Sequence, residues 1–104
     1  MSIKKQYLKS KPECKVSFRV AKADAPNAET VKIVGEFNGW SEEVEPMKKL
    51  KSGDFTQTLN LETGKAYQFK YLIDGSVWEN ETEADSTAPN GIVEGEFNSV
   101  LDLN

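Results

Sequence analysis

Apolar and polar residues alternate with period two along most of this chain, and no stretch sustains a helical repeat. In "CKVSFRV" the residues Cys14, Val16, Phe18 and Val20 fall on one side, with Lys15, Ser17 and Arg19 on the other. That is the pattern of a strand with one buried face. Residues 21–27, carrying Pro26, read as a loop. "ETVKIVGEF" then sets Val31, Ile33, Gly35 and Phe37 against Lys32, Val34 and Glu36. Within "MKKLKSGDF", Ser52 and Gly53 are a hairpin signal between short extended pieces, and "DFTQTLNL" aligns Phe55, Leu59 and Leu61. Thr63 and Gly64 turn the chain into "KAYQFKYLI", the clearest strand, with Tyr67, Phe69, Tyr71 and Ile73 on one face and Gln68, Lys70 and Leu72 on the other. After Trp78 a polar, acidic stretch with Pro89, Asn90 and Gly91 runs to Gly95 and reads as one long loop, before "FNSVLDL" supplies a last strand from Asn98. Short strands separated by turn signals predict an all-β fold, an antiparallel sandwich of about six to eight strands.

Composition narrows this further. At 104 residues the chain suits one domain, spanning 13–104 behind a basic arm at 1–12 whose lysines 4, 5, 9 and 11 are expected to be solvated and partly disordered. The proportions of 29% charged and 38% hydrophobic residues are those of a soluble globular protein. No apolar run is long enough to span a bilayer and none follows the basic N-terminus as in a secretory signal, so the expected location is cytoplasmic, with no membrane partner. The single cysteine, Cys14, has no internal partner and reads as a small buried apolar group, and the sequon at Asn80 is expected to be silent. Thirteen basic against seventeen acidic residues give a net charge of -4, which repels polyanions and argues against a nucleic-acid partner.

Much catalytic chemistry is missing from the residue inventory. The chain has no histidine, removing the commonest general base and nitrogen ligand. Cys14 sits inside an alternating strand without an activating base, and no glycine-rich phosphate loop occurs. Carboxylate pairs for glycoside hydrolysis exist on paper among Glu42, Glu43 and Glu45 or among Glu79, Glu81, Glu83 and Asp85. Both runs read better as solvated loop charge, and the second lacks the spacing of a calcium loop. The expectation is therefore no catalytic residue, no metal and no cofactor.

What needs explanation is the pair of tryptophans, the chain's only two. Trp40 ends "GEFNGW" and Trp78 ends "YLIDGSVW", each just beyond a polar turn. An indole face suits the C-H side of a pyranose ring, adding dispersion to burial of apolar area while rim groups read the hydroxyls. Exposed tryptophan is otherwise avoided because it invites association. Periodicity alone leaves both roles open, sugar platform or core residue capping the sandwich.

A resemblance bears on that choice. "VKIVGEFNGW", "PMKKLKSGDF", "LETGKAYQFKYLIDGSVWEN" and "GEFNSVLDL" occur in the order found in the family 48 carbohydrate-binding modules, the glycogen-binding or isoamylase N-terminal type. The similarity runs over residues 15–103, and "KKQYLKSK" ahead of it resembles small free-standing bacterial members. It implies an immunoglobulin-like, early-set sandwich that binds α-1,4-linked glucans such as glycogen and starch fragments without catalysis. By position, it implies that Trp40 and Trp78 stack on sugars while Lys70 and Asn98 bind hydroxyls. Two departures stand out: one extra residue between Gly75 and Trp78 relative to the kinase-subunit version, and Glu94 and Glu96 where those modules carry a leucine and a threonine that touch sugar. The competing class is a protein-interaction sandwich that docks on a glycogen-metabolising enzyme or on itself. A small hydrolase is the third and least supported.

Overall fold

The alternating segments fold into nine strands in a computed structural model that describes residues 1–89 and 96–104. In chain order these are β1 (Ser2–Tyr7), β2 (Glu13–Val20), β3 (Val31–Gly35), β4 (Lys48–Lys49), β5 (Phe55–Glu62), β6 (Ala66–Ile73), β7 (Val77–Glu79), β8 (Ser86–Pro89) and β9 (Phe97–Asp102). The first sheet has the order β1-β2-β5-β4, the second β3-β6-β9-β8 with β7 also paired to β6, and every pairing is antiparallel. The fold is a β-sandwich, as the alternation predicts.

Its interior is made from the faces that the period-two pattern marks as apolar. Cys14, Val16, Phe18 and Val20 of β2 and Phe55 and Leu61 of β5 pack across from Val31 and Ile33 of β3 and from Tyr67, Phe69, Tyr71 and Ile73 of β6. Phe18, Phe69 and Tyr71 pack edge to face along this seam, with centroids 5.5 and 5.8 Å apart, an arrangement favoured by the ring quadrupoles.

Three elements differ from the sequence reading. Residues 2–7, expected in a basic arm, form β1, with Ile3 opposite Phe18 and Tyr7 opposite Cys14. Lys5 hides the alternation there: although it lies opposite Val16, its ammonium reaches the sandwich margin and donates to Asp85 at 2.7 Å and to the Asp102 carbonyl at 3.0 Å. The long acidic loop contains a strand, since β8 pairs with β9 at the sheet edge, where proline and alanine are tolerated. Finally, β3 stops at Gly35, and Phe37 enters the core from a 3-10 turn over Glu36–Asn38, its ring 6.0 Å from Tyr67 and 6.4 Å from Phe18. Asn90 and Gly91, read as a turn signal, lie outside the described residues, as does Glu94.

Candidate functional site

The outer face of the second sheet, turned away from the core, carries the chemistry. Side chains directly opposite in an antiparallel pair share a face. Val34 lies opposite Lys70, and Leu72 lies opposite Lys32 on one side and Trp78 on the other. Val34 and Leu72 are buried to 0% and 2% exposure although both stand outside the main core cluster. This face therefore has an apolar floor of its own. Trp78, directly opposite Leu72, stands on this face; it is 41% exposed and Trp40 39%, so neither is a core residue.

Trp40 is presented by the "GEFNG" segment, each residue of which has a structural task. A Cβ on Gly35 would stand 2.5 Å from the Gln68 carbonyl oxygen and 2.6 Å from Phe69 Cβ, so only glycine lets β3 approach β6 this closely. Where β3 ends, the Glu36 carboxylate accepts the Gln68 N–H at 2.6 Å, continuing the ladder with a side chain. Asn38 Oδ1 accepts the Gly35 N–H at 3.0 Å while its Nδ2 donates to the Ile33 carbonyl at 2.9 Å. Gly39 and Trp40 then both take left-handed backbone, φ 66° and 59°, and the Trp40 N–H donates to the Gly35 carbonyl at 2.9 Å.

Trp78 is held at both ends of its hairpin. Asp74 and Gly75 have φ of 51° and 72°, and the Ser76 N–H donates to the Ile73 carbonyl at 3.1 Å. Ile73 pairs with Val77 and Leu72 with Trp78, so the "DGSVW" turn delivers Trp78 to the outer face. Asp74 Oδ1 accepts the N–H groups of Glu29 and Thr30 at 2.8 and 3.0 Å. The Thr30 and Glu29 hydrogen bonds hold its carboxyl below the usual aspartate range. Beyond Trp78, the buried Glu81 accepts the Tyr71 hydroxyl at 2.8 Å, and its N–H donates to Ser99 Oγ at 2.8 Å. Burial, reinforced by the Glu81 charge, pushes the Tyr71 phenol far above its ordinary range. Ser99 in turn donates to Asn80 Oδ1 at 2.8 Å, and Asn80 Nδ2 donates to the Phe97 carbonyl at 2.9 Å. The sequon asparagine, partly buried, is thus hydrogen-bonded to β9 through both ends of its amide.

The polar groups predicted for the site lie on β6 and β9. Lys70 has a side chain only 12% exposed, with its Nζ 3.8 Å from Glu96 Oε2. Asn98 is more enclosed than the sequence suggests, 7% exposed, and its Nδ2 donates to Gln68 Oε1 at 3.1 Å. Gln68 was not singled out by the sequence reading, although its period-two relation to Lys70 places it on this face. A cleft of about 270 Å³, lined in part by Ile33, Phe37, Val44 and Leu59, opens elsewhere, between the sheets, and touches neither tryptophan nor Lys70. Concave pockets suit small ligands.

Comparison with known proteins shows the family. Over 64 residues, 62% of the chain, it is 31% identical to the 1,4-alpha-glucan branching enzyme GlgB of Nocardia farcinica (strain IFM 10152), of which the match covers 9%. Over 76 residues, 71% of the chain, it is 37% identical to the chloroplastic protein PTST of Arabidopsis thaliana, of which the match covers 25%. The chain thus corresponds to a small part of either relative. Residues 24–103, which include the Trp40 turn, Lys70, the Trp78 hairpin and Asn98, match the family described as the glycogen recognition site of AMP-activated protein kinase, and to that family of carbohydrate-binding modules the chain belongs.

Proposed function

We propose that this chain is a non-catalytic binder of α-1,4-linked glucans, using Trp40 and Trp78 as stacking platforms and Lys70 and Asn98 to engage sugar hydroxyls. The observation that carries the reading is the exposure of both indoles, 39% and 41%, with Trp78 directly opposite the buried Leu72 on the outer sheet face. Strands β3 and β7 flank β6 on opposite sides, so their backbones stand about 10 Å apart at the usual strand spacing. In this reading the two indoles meet different sugars of one chain. Two aromatic contacts on an open face support dissociation constants in about the micromolar to millimolar range, because ordering flexible sugar units offsets much of the contact energy. Branched glucans compensate by presenting many equivalent chain ends.

Native electrophoresis through gels containing glycogen tests this. Retarded migration of the wild type is expected, with loss of retardation in Trp40→Ala and Trp78→Ala and an indole fluorescence change on titration with maltoheptaose. Migration equal to that in a plain gel, with no heat or fluorescence change, overturns the reading. A second reading, docking on a glycogen-metabolising enzyme, is favoured by one observation: the matched relatives carry this region as 9% and 25% of longer chains. Co-migration with a branching enzyme in the absence of glucan is its test.

A further inference from the structure

The outer face has two lysines in its register, and both are engaged by groups of the protein. Lys32 Nζ donates to the Glu42 carbonyl at 2.7 Å, and Lys70 Nζ faces the Glu96 carboxylate at 3.8 Å. That second separation is an ion pair too long for a hydrogen bond, so it neutralises Lys70 without occupying its N–H donors. Glu96 itself is open, its side chain 56% exposed against 12% for Lys70. The surrounding chain adds to the same sign: residues 21–104 hold seven basic and sixteen acidic side chains, with Glu42, Glu43 and Glu45 just after Trp40 and Glu79 beside Trp78.

We infer, on the basis of the glucan-binding reading above, that Glu96 sets the charge preference of this face, so that uncharged glucan chains are accepted and phosphate-esterified glucan chains are turned away. A sugar hydroxyl is both donor and acceptor. A neighbouring pair of hydroxyls can therefore give a proton to the Glu96 carboxylate and receive one from the Lys70 ammonium, satisfying both charged groups at once. A phosphate monoester carries about -1.5 to -2 charges near neutral pH and only acceptor oxygens over most of its surface. It gains from Lys70 but meets Glu96 within the same few ångströms, well inside the screening length of about 8 Å at physiological salt. With Glu96 present the Lys70 charge offers an anion little net attraction, and the other lysine of the register, Lys32, has its Nζ turned to the Glu42 carbonyl.

The experiment compares maltoheptaose with maltoheptaose carrying a single 6-phosphate, titrated into wild-type protein and Glu96→Gln at low and high salt. The wild type is expected to prefer the neutral sugar by about fivefold at low salt, the upper range for one exposed charge contact. That preference shrinks toward parity in Glu96→Gln and in high salt. Equal binding of the two sugars by the wild type, or an unchanged preference in Glu96→Gln, overturns the assignment to Glu96 while leaving glucan binding intact. Failure of the wild type to bind either sugar overturns the glucan-binding reading and this inference with it. Because Glu96 is exposed, Glu96→Gln is expected to keep the wild-type circular dichroism and melting temperature, so a changed preference reports on the site rather than on folding.

Discussion

Trp40 holds a backbone conformation, φ 59°, that a side chain of its size avoids at a cost of about 1–2 kcal/mol. It persists because the Gly35 carbonyl receives its N–H and Asn38 locks the turn beneath it. Strain of this kind at an exposed indole supports the contact role proposed for it. Trp40→Asn, which tolerates left-handed backbone, is therefore expected to abolish retention by glycogen while changing stability by less than about 1 kcal/mol, read from the gel and a thermal melt. A loss of several kcal/mol would instead make the indole a structural residue. The position of this tryptophan beyond a polar turn was legible in the sequence. Its left-handed backbone was not, because glycine was already present at position 39 to account for the turn.

At the level of elements, side chains take over backbone work where strands end. Asn38→Ala removes two hydrogen bonds that span the end of β3. It is expected to cost about 1–3 kcal/mol and to weaken glucan binding, since the Trp40 turn loses its strut. Chemical denaturation and the glycogen gel measure the two effects separately. Gly35→Ala forces a methyl to within 2.5 Å of the Gln68 carbonyl oxygen. With the backbone at φ -172°, the cost comes from the close approach rather than from backbone strain, and about 3 kcal/mol or more is expected. On the Trp78 side, Tyr71→Phe deletes the hydroxyl that Glu81 accepts in a buried site, for about 1–3 kcal/mol. Strands β2, β3, β5, β6 and β9 were readable, because alternation is a property of neighbouring residues. Their ends were not: polarity patterns do not say which backbone N–H will be met by Glu36 or Asn38, and β8 has composition closer to a loop than to a strand.

Over the whole molecule, charge is tied to folding through three aspartates. The Lys22 N–H, aided by Arg19, holds the Asp54 carboxyl low. Asp74 is held low by the Thr30 and Glu29 N–H groups. Burial pushes Asp85 up, but Lys5 and the Asp102 N–H outweigh it and leave that carboxyl low as well. Each binds a proton more readily unfolded than folded, so each stabilises the fold above the unfolded aspartate pKa, and that contribution is lost as pH falls through the lowered folded value. The melting temperature is expected to be flat near neutrality and to fall as pH drops below about 4. Asp74→Asn, compatible with φ 51°, should lower stability at neutral pH and flatten part of that acid slope. A slope unchanged in the variant would remove Asp74 from this account.

The amino-acid sequence alone determined which side of the central strands is apolar, since period-two patterning is written residue by residue: Cys14, Val16, Phe18 and Val20, and Tyr67, Phe69, Tyr71 and Ile73, are buried as their alternation requires. It also carried the order of motifs by which the family is recognised. Only the tertiary structure decided that Val34 and Leu72 form a second apolar floor, that Lys70 faces Glu96, and that residues 2–7 close the first sheet. Those facts depend on which strands become neighbours and in what register, and the free energy that selects a register is a sum over contacts far apart in the chain.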